Sequence, residues 1–269
     1  MDILRTIIKQ TKHLIDVVCI ALLKILHISP SKMHYCNICG RNTLFVRGAG
    51  KKAKVLKEYA VIGGGRRKHI VCPYCNSIDR SRWLYYTLEH YVLKNKLNTK
   101  ILHFAPEKCV EGILRNRFAE GYISGDLEKG RADYIIDITN IHYKDCEFDI
   151  SIASHVLEHI VDEGKAISEL IRVTKPDGVI VLAFPIATGL ECTYEDEKIH
   201  SVKERKKKFG QKDHVRLYGM DYKRRLEKYG LEIQEFVPKM ILEAELIRRM
   251  SLIPEDVIII CTRARRDRL

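Results

Sequence analysis

The sequence predicts an α/β protein whose main body is a doubly wound, mostly parallel sheet of seven strands, preceded by a small cysteine-bearing module and a leading amphipathic helix. Three observations carry this. From Lys100 onward, short apolar runs alternate with helical patterns, as successive βαβ units require. Two Cys-x-x-Cys pairs, Cys36/Cys39 and Cys72/Cys75, stand 32 residues apart upstream of that pattern. Ahead of both, residues 1–27 place Ile3, Ile7, Leu14, Val18, Leu22 and Ile25 on one side of a helical wheel and Arg5, Lys9 and Lys12 on the other.

The leading helix ends at Pro30. Its longest uncharged run, residues 17–23, is far short of the eighteen or so apolar residues that span a bilayer, and no small-residue cleavage site follows. It is therefore expected to dock on the protein's own body, in a cytoplasmic protein. Peripheral contact with the inner face of a membrane through residues 1–27 is the alternative.

The cysteine pairs come next. Each puts two sulfurs at the mouth of one tight turn, Cys36-Asn-Ile-Cys39-Gly40 and Cys72-Pro-Tyr-Cys75, and four thiolates at about 2.3 Å complete a closed tetrahedral site. Cys36, Cys39, Cys72 and Cys75 are thus expected to hold a structural Zn2+ in a zinc ribbon over 31–80, too short to bury a core of its own. Segments 43–46 and 55–61 read as ribbon strands between glycines, and Arg66, Arg67 and Lys68 as a solvated loop. The other five cysteines, Cys19, Cys109, Cys146, Cys192 and Cys261, lack pair spacing and read as small core residues.

After Asp79-Arg80-Ser81-Arg82, a helical stretch at 83–97 bridges into the main domain at 81–269. Strands are expected at 101–104, 122–124, 134–136, 148–153 and 179–184, with helices at 109–118 and 163–173 between them. A helix at 221–229, a strand at 231–237, a helix at 239–250 and a strand at 256–261 close the sheet with an antiparallel hairpin. Residues 185–219 form an insertion after the fifth strand. With 269 residues, 46% hydrophobic and 30% charged, the chain suits one large domain with an appendage. The net charge of +12 favours an anionic partner, whether nucleic acid, a phosphorylated small molecule or a membrane surface.

In such sheets ligands bind outside the carboxyl ends of the strands, so the residues just after each apolar run are the candidates. Asp126 ends the second strand, where one carboxylate can accept hydrogen bonds from two ribose hydroxyls. Asp137 ends the third, where a carboxylate can accept from an exocyclic adenine amine while Ile138 packs on the ring.

With these residues in place, the segment over about 100–261 resembles the class I S-adenosylmethionine-dependent methyltransferases of the type 11 group. Phe148-Asp-Ile-Ser-Ile-Ala-Ser154-His155-Val-Leu-Glu-His159 looks like that family's fourth strand and following loop, and Glu169-Leu-Ile-Arg-Val-Thr-Lys-Pro-Asp-Gly178 like the helix and turn leading into its fifth. The resemblance implies a Rossmann-like methyltransferase fold with S-adenosylmethionine as cofactor. The cofactor would be bound by Phe104, Ala105, Pro106, Asp126, Leu127, Asp137, Ile138, Ser154 and His155. The first loop departs from the family, reading Phe104-Ala105-Pro106-Glu107 where a glycine-rich turn is usual. Together with the Asp-Arg-Ser-Arg run and Phe209-Gly-Gln-Lys-Asp-His-Val-Arg-Leu-Tyr-Gly219, it resembles a coherent subgroup with a variant loop.

Methyl transfer from a sulfonium is an in-line displacement, so positioning dominates and a general base is optional; His155, His159 and His214 are the candidates for one. Glu195, His214 and Arg216 in the insertion are the candidate substrate residues, His214 and Arg216 sharing one face of an extended segment. An anionic small-molecule or saccharide acceptor is expected. RNA, gripped by the ribbon and the basic surface, is the alternative acceptor, and a non-catalytic binding module is the second alternative.

Overall fold

The computed structural model describes residues 33–264 apart from 45, 46, 95 and 97, so the leading helix and Cys19 lie outside the described residues. The cysteine module opens with β1 (His34–Cys36) and β2 (Arg41–Thr43), which pair antiparallel around the first knuckle, with Cys36 opposite Arg41. β3 (Arg47–Ala49), the short helix α1 (Lys54–Glu58), β4 (Val61–Ile62) and β5 (Arg67–Val71) follow, β3 pairing antiparallel with β5. The strand expected over 55–61 is therefore mostly helix. Val55 and Leu56 are consecutive and both buried in one cluster with Ile199, Phe209 and Leu217, whereas a pleated strand would aim them at opposite faces.

Helix α2 (Asp79–Thr87) continues into a wide turn at Leu88–Val92 and lays Trp83, Leu84 and Leu88, each fully buried, against the sheet. The sheet then builds from β6 (Ile101–Phe104), helix α3 (Lys108–Phe118), β7 (Tyr122–Asp126), β8 (Tyr134–Ile135) and β9 (Phe148–Ser154). Helix α4 (Glu163–Val173) starts on Asp162, whose carboxylate accepts from the Lys165 backbone N–H at 2.9 Å, and turns Ala166, Ile167, Leu170 and Val173 inward. β10 (Thr174–Ala183) breaks register between Thr174 and Val179, where the Pro-Asp-Gly turn was expected. The insertion carries β11 (Ile186–Ala187), β12 (Tyr194–Glu195), helix α5 (Val202–Lys208) and β13 (Arg216–Leu217). Helix α6 (Tyr222–Glu227), β14 (Leu231–Phe236), helices α7 (Pro238–Ile241) and α8 (Ala244–Arg249), and β15 (Ile258–Arg263) complete the chain. The single helix expected over 239–250 is two, because Leu242 and Glu243 take extended backbone angles between them.

The seven strands run in the order β14-β15-β10-β9-β6-β7-β8. β10, β9, β6, β7 and β8 are mutually parallel, and β15 is antiparallel to both neighbours, as the hairpin predicted. Strand β9 reads as an almost unbroken buried run because both faces are covered. One core cluster gathers α4 and α6 residues with Leu102 and Leu182; the other gathers α2 and α3 residues with Ile101 and Val181. The chain reverses direction across the sheet between β6 and β9, and a crevice opens at their carboxyl ends.

The cysteine module does not stand apart from this sheet. β4 pairs antiparallel with β11, Ile62 opposite Ile186, and the Gly189 N–H donates to the Tyr59 carbonyl at 3.0 Å. Among the described residues no helix is long and apolar enough to cross a membrane.

Candidate functional site

At the switch point a cleft of about 370 Å³ opens, lined by Phe104 and Ala105 after β6, Gly125, Asp126 and Leu127 at the end of β7, Ile136 and Ile138 after β8, and His155, Val156 and His159 after β9. Six of the nine expected cofactor residues meet here: Phe104, Ala105, Asp126, Leu127, Ile138 and His155. A Cβ on Gly125 would lie 2.9 Å from Ile136 Cδ1, so that side chain would have to shift to admit any other residue. Ala105 holds φ at +45°, a left-handed conformation that glycine tolerates better, and donates its N–H to the Gly125 carbonyl at 2.8 Å. His155 is likewise left-handed, at φ +56°.

Pro106, Asp137 and Ser154 do not line the cleft. Pro106 is buried beneath the loop. Asp137 is exposed, and one of its oxygens accepts from both the N–H and the hydroxyl of Thr139 at 2.8 Å, a local turn cap. Ser154 points the other way, donating to Glu107 Oε1 at 2.8 Å.

That last bond belongs to a buried network the sequence reading did not include. His103, inside β6 and fully buried, has Nδ1 2.9 Å from the Tyr122 hydroxyl and Nε2 3.4 Å from Glu107. Burial pushes the Glu107 carboxyl up, but His103 and then Arg80 outweigh it and hold it at about 2. Glu107 could have been found as the first acid after the β6 run; His103, a polar residue inside an apolar strand, carries no such signal.

The three candidate bases sit around the lip after β9. His155 Nδ1 lies 3.1 Å from Glu158 Oε1, and His159 Nδ1 lies 3.7 Å from Asp213, which also lines the cleft. The ring of His214 meets that of His159 edge-on, with centroids 4.6 Å apart, and is itself buried. Burial pushes His214 down to about 4, so its imidazole is neutral at pH 7. For Glu158, burial is outweighed by the hydrogen bond and charge of His155 and by His159 and His214, and its carboxyl sits at about 2.

The insertion's other two candidates act as a clasp on this lip. Arg216, 3% exposed, donates to the carbonyls of Leu157 at 2.7 Å, Ile160 at 2.5 Å and Val161 at 3.0 Å, and to Glu195 at 2.8 Å. Glu195 also pairs with Arg225 at 3.0 Å. Against the expectation of a substrate fork, the guanidinium is committed to the protein's own backbone. The extended His-x-Arg segment was legible; that its face meets the lip required the fold.

Behind the lip Asp256 is buried, with burial pushing its carboxyl up from 3.8 to about 6. The folded state therefore holds this proton more tightly than the unfolded chain, and stability falls as pH rises from about 4 through 6. A rise of that size corresponds to about 3 kcal/mol. Asp256→Asn should melt higher than the parent at pH 8, by up to that amount, and level with it near pH 4; equal melting at pH 8 would contradict the burial argument.

In the cysteine module the four sulfurs converge as expected. Cys36 and Cys75 are 3.5 Å apart and Cys39 and Cys72 3.7 Å, against about 3.8 Å for a tetrahedron with bonds of about 2.3 Å. Ser77 Oγ lies 3.2 Å from both Cys36 and Cys75. Arg82, the second arginine of the Asp-Arg-Ser-Arg run, is fully buried beside the cluster. It donates to the carbonyls of Ile70 at 2.9 Å, Ser77 at 3.0 Å and Met250 at 2.7 Å, tying the module to the main domain. Arg67, expected in a solvated loop, instead forms a two-pronged pair with buried Asp79. Of the remaining described cysteines only Cys261 is a core residue; Cys109 and Cys146 are half-buried and Cys192 is exposed.

Residues 120–182 match the family model described as a methyltransferase domain. Over 118 residues, 42% of this chain and 38% of the relative, the sequence is 30% identical to norajmaline N-methyltransferase of Rauvolfia serpentina. Over 60 residues, 22% of the chain and 24% of the relative, it is 45% identical to demethylmenaquinone methyltransferase of Paenarthrobacter aurescens. The chain thus spans well under half the length of the curated relatives it matches. Among solved structures, the 4+2 cyclase SpnF superposes with a TM-score of 0.50 at 12% identity, covering 70% of this chain and 83% of that one, a likeness of fold. Residues 120–182 thus resemble a methyltransferase domain, within a sheet whose strand order has a switch point between β6 and β9.

Proposed function

We propose that the protein is an S-adenosylmethionine-dependent methyltransferase acting on a small-molecule or saccharide acceptor. The observation that carries this is Asp126 at the rim of the switch-point cleft, with Ile136 and Ile138 as an apolar floor beside it. In this reading the Asp126 carboxylate accepts from both ribose hydroxyls, Ile138 packs on the adenine, and the Phe104-Ala105 turn borders the methionine half. The cofactor supplies an electrophilic methyl group on sulfur. The chain's own part is to orient an acceptor at the lip and exclude water, with His155 or His159 placed to take a proton from an oxygen or nitrogen acceptor. Arg216 and Glu195 enter as positioning residues that hold the lip. The four cysteines hold a structural Zn2+. A small-molecule acceptor is supported by the two relatives, whose names specify norajmaline and demethylmenaquinone.

Charge-assisted hydrogen bonds of roughly 1.5–3 kcal/mol make Asp126 the residue to test. Asp126→Ala should weaken S-adenosylmethionine binding about ten- to a hundredfold by calorimetry. Unchanged affinity in a folded variant would remove the ribose site from this cleft.

An RNA acceptor is the second reading, favoured by two adjoining clefts that share Lys51, Lys52 and Lys54. One adds Arg66 and Lys68, the other Lys206, Lys207, Lys208 and Lys212. RNA binding whose affinity falls steeply with salt would favour it.

A further inference from the structure

The lip after β9 carries more polar chemistry than methyl transfer needs. Glu158 and His159 lie in the short turn Leu157–His159, and the insertion brings His214 to them from 55 residues farther along the chain. The ligand-capable atoms of these three side chains lie within 4.8 Å of one another. Glu158 and His214 are each 2% exposed. Glu158 Oε2 has no hydrogen-bond partner, and neither ring nitrogen of His214 has one. Leaving a buried polar atom unsatisfied is costly, and here three such atoms gather in one place.

We propose that Glu158, His159 and His214 bind one divalent first-row transition ion, of which Zn2+ is the type. Two imidazoles and a carboxylate are the donor set such ions take, whereas Mg2+ and Ca2+ call for oxygen ligands throughout. The surrounding contacts resemble the outer hydrogen bonds that orient metal ligands. His155 holds Glu158 Oε1 and leaves Oε2 free, and Asp213 stands beside His159. His159 and Asp213 line the cleft, so the ion has a path in from solvent and sits at the rim. Three protein ligands leave a tetrahedral position open. This site is distinct from the closed four-thiolate cluster, in which all ligands come from the chain. Its role rests on the methyltransferase reading: an acceptor hydroxyl on the open position would give up its proton more readily, to water in the open cleft, and its oxygen would bond to the methyl carbon as the carbon–sulfur bond breaks and the electron pair stays on the cofactor's sulfur as a neutral thioether. The binding itself does not depend on that reading.

The test is metal content of the full-length protein, stripped with a chelator and dialysed against Zn2+, and in parallel against Co2+, whose absorption separates thiolate from nitrogen and oxygen ligation. The parent should take up two equivalents per chain, one with thiolate charge-transfer bands and one without. His159→Ala, Glu158→Gln and His214→Asn should each lose the second equivalent and keep the first. Because His159 is partly exposed, its replacement leaves the fold least disturbed, and it decides the matter if a buried variant is insoluble. A parent that binds one equivalent with a purely thiolate spectrum overturns the proposal, as does a His159→Ala protein that retains both. Binding of S-adenosylmethionine by the same variants, measured separately, reports on the cofactor site: loss of metal with cofactor affinity intact supports the ion site without bearing on Asp126.

Discussion

Cys36→Ser is expected to lose the tightly bound metal and to release more of the protein than the cysteine module. Metal binding of this kind supplies folding free energy directly, apparent values being about 10–16 kcal/mol in zinc-finger peptides. Cys36 is fully buried and lies 3.5 Å from Cys75, so serine would replace a thiolate at the centre of the cluster. The loss would propagate, since β4 pairs with β11 and Leu56 packs with Phe209 of the insertion. Limited proteolysis of the variant, or of chelator-treated parent, should therefore cut within 33–79 and also within 185–219, while the sheet resists. A Cys36→Ser protein with full zinc content and the parent's protease pattern would refute the assignment. Cleavage confined to 33–79 would show that the insertion is held without the module.

Arg82→Ala should be the most destabilising single change outside the thiolates. The guanidinium is fully buried and serves the carbonyls of Ile70, Ser77 and Met250, which truncation would leave without that donor. Breaking a buried charged network by removing one partner costs about 3–5 kcal/mol. For a protein of this size that is a fall of roughly 6–20 °C in melting temperature. Arg82→Lys should recover little, because one ammonium cannot reach carbonyls on three segments as a planar fork does. Arg66→Ala, at an exposed arginine of the same cysteine module, is the control and should shift melting by no more than a degree or two. If Arg82→Ala melts like that control, the module is docked by something other than this side chain.

Much of this protein could be read along the chain. The order of apolar runs predicted seven strands and the closing hairpin, because a strand buried on both faces tends to be written as consecutive apolar residues, as in residues 179–183 of β10. The four cysteines were legible because a knuckle is a local turn, and local turns have local signatures. The place of Asp126 at the cleft was legible for the same reason: it ends β7 at the carboxyl edge of the sheet.

What the tertiary structure decided is which polar residues face one another. Asp126 and Asp137 look alike in sequence, each an acid ending a strand, and each accepts from the N–H two residues on, yet Asp126 lines the cleft and Asp137 does not. Arg67 and Arg82 look like members of basic runs, yet each answers a partner distant in the chain or buried beside it, Asp79 for one and Met250 for the other. Arg216 reads as an anion fork until the lip after β9 supplies three carbonyls for it. The meeting of Glu158, His159 and His214 depends on where the insertion lands. Hydrophobic pattern is a property of each segment and survives in the order of residues, whereas a charge or an imidazole takes its role from the neighbour that compensates its burial, and only the folded chain selects that neighbour.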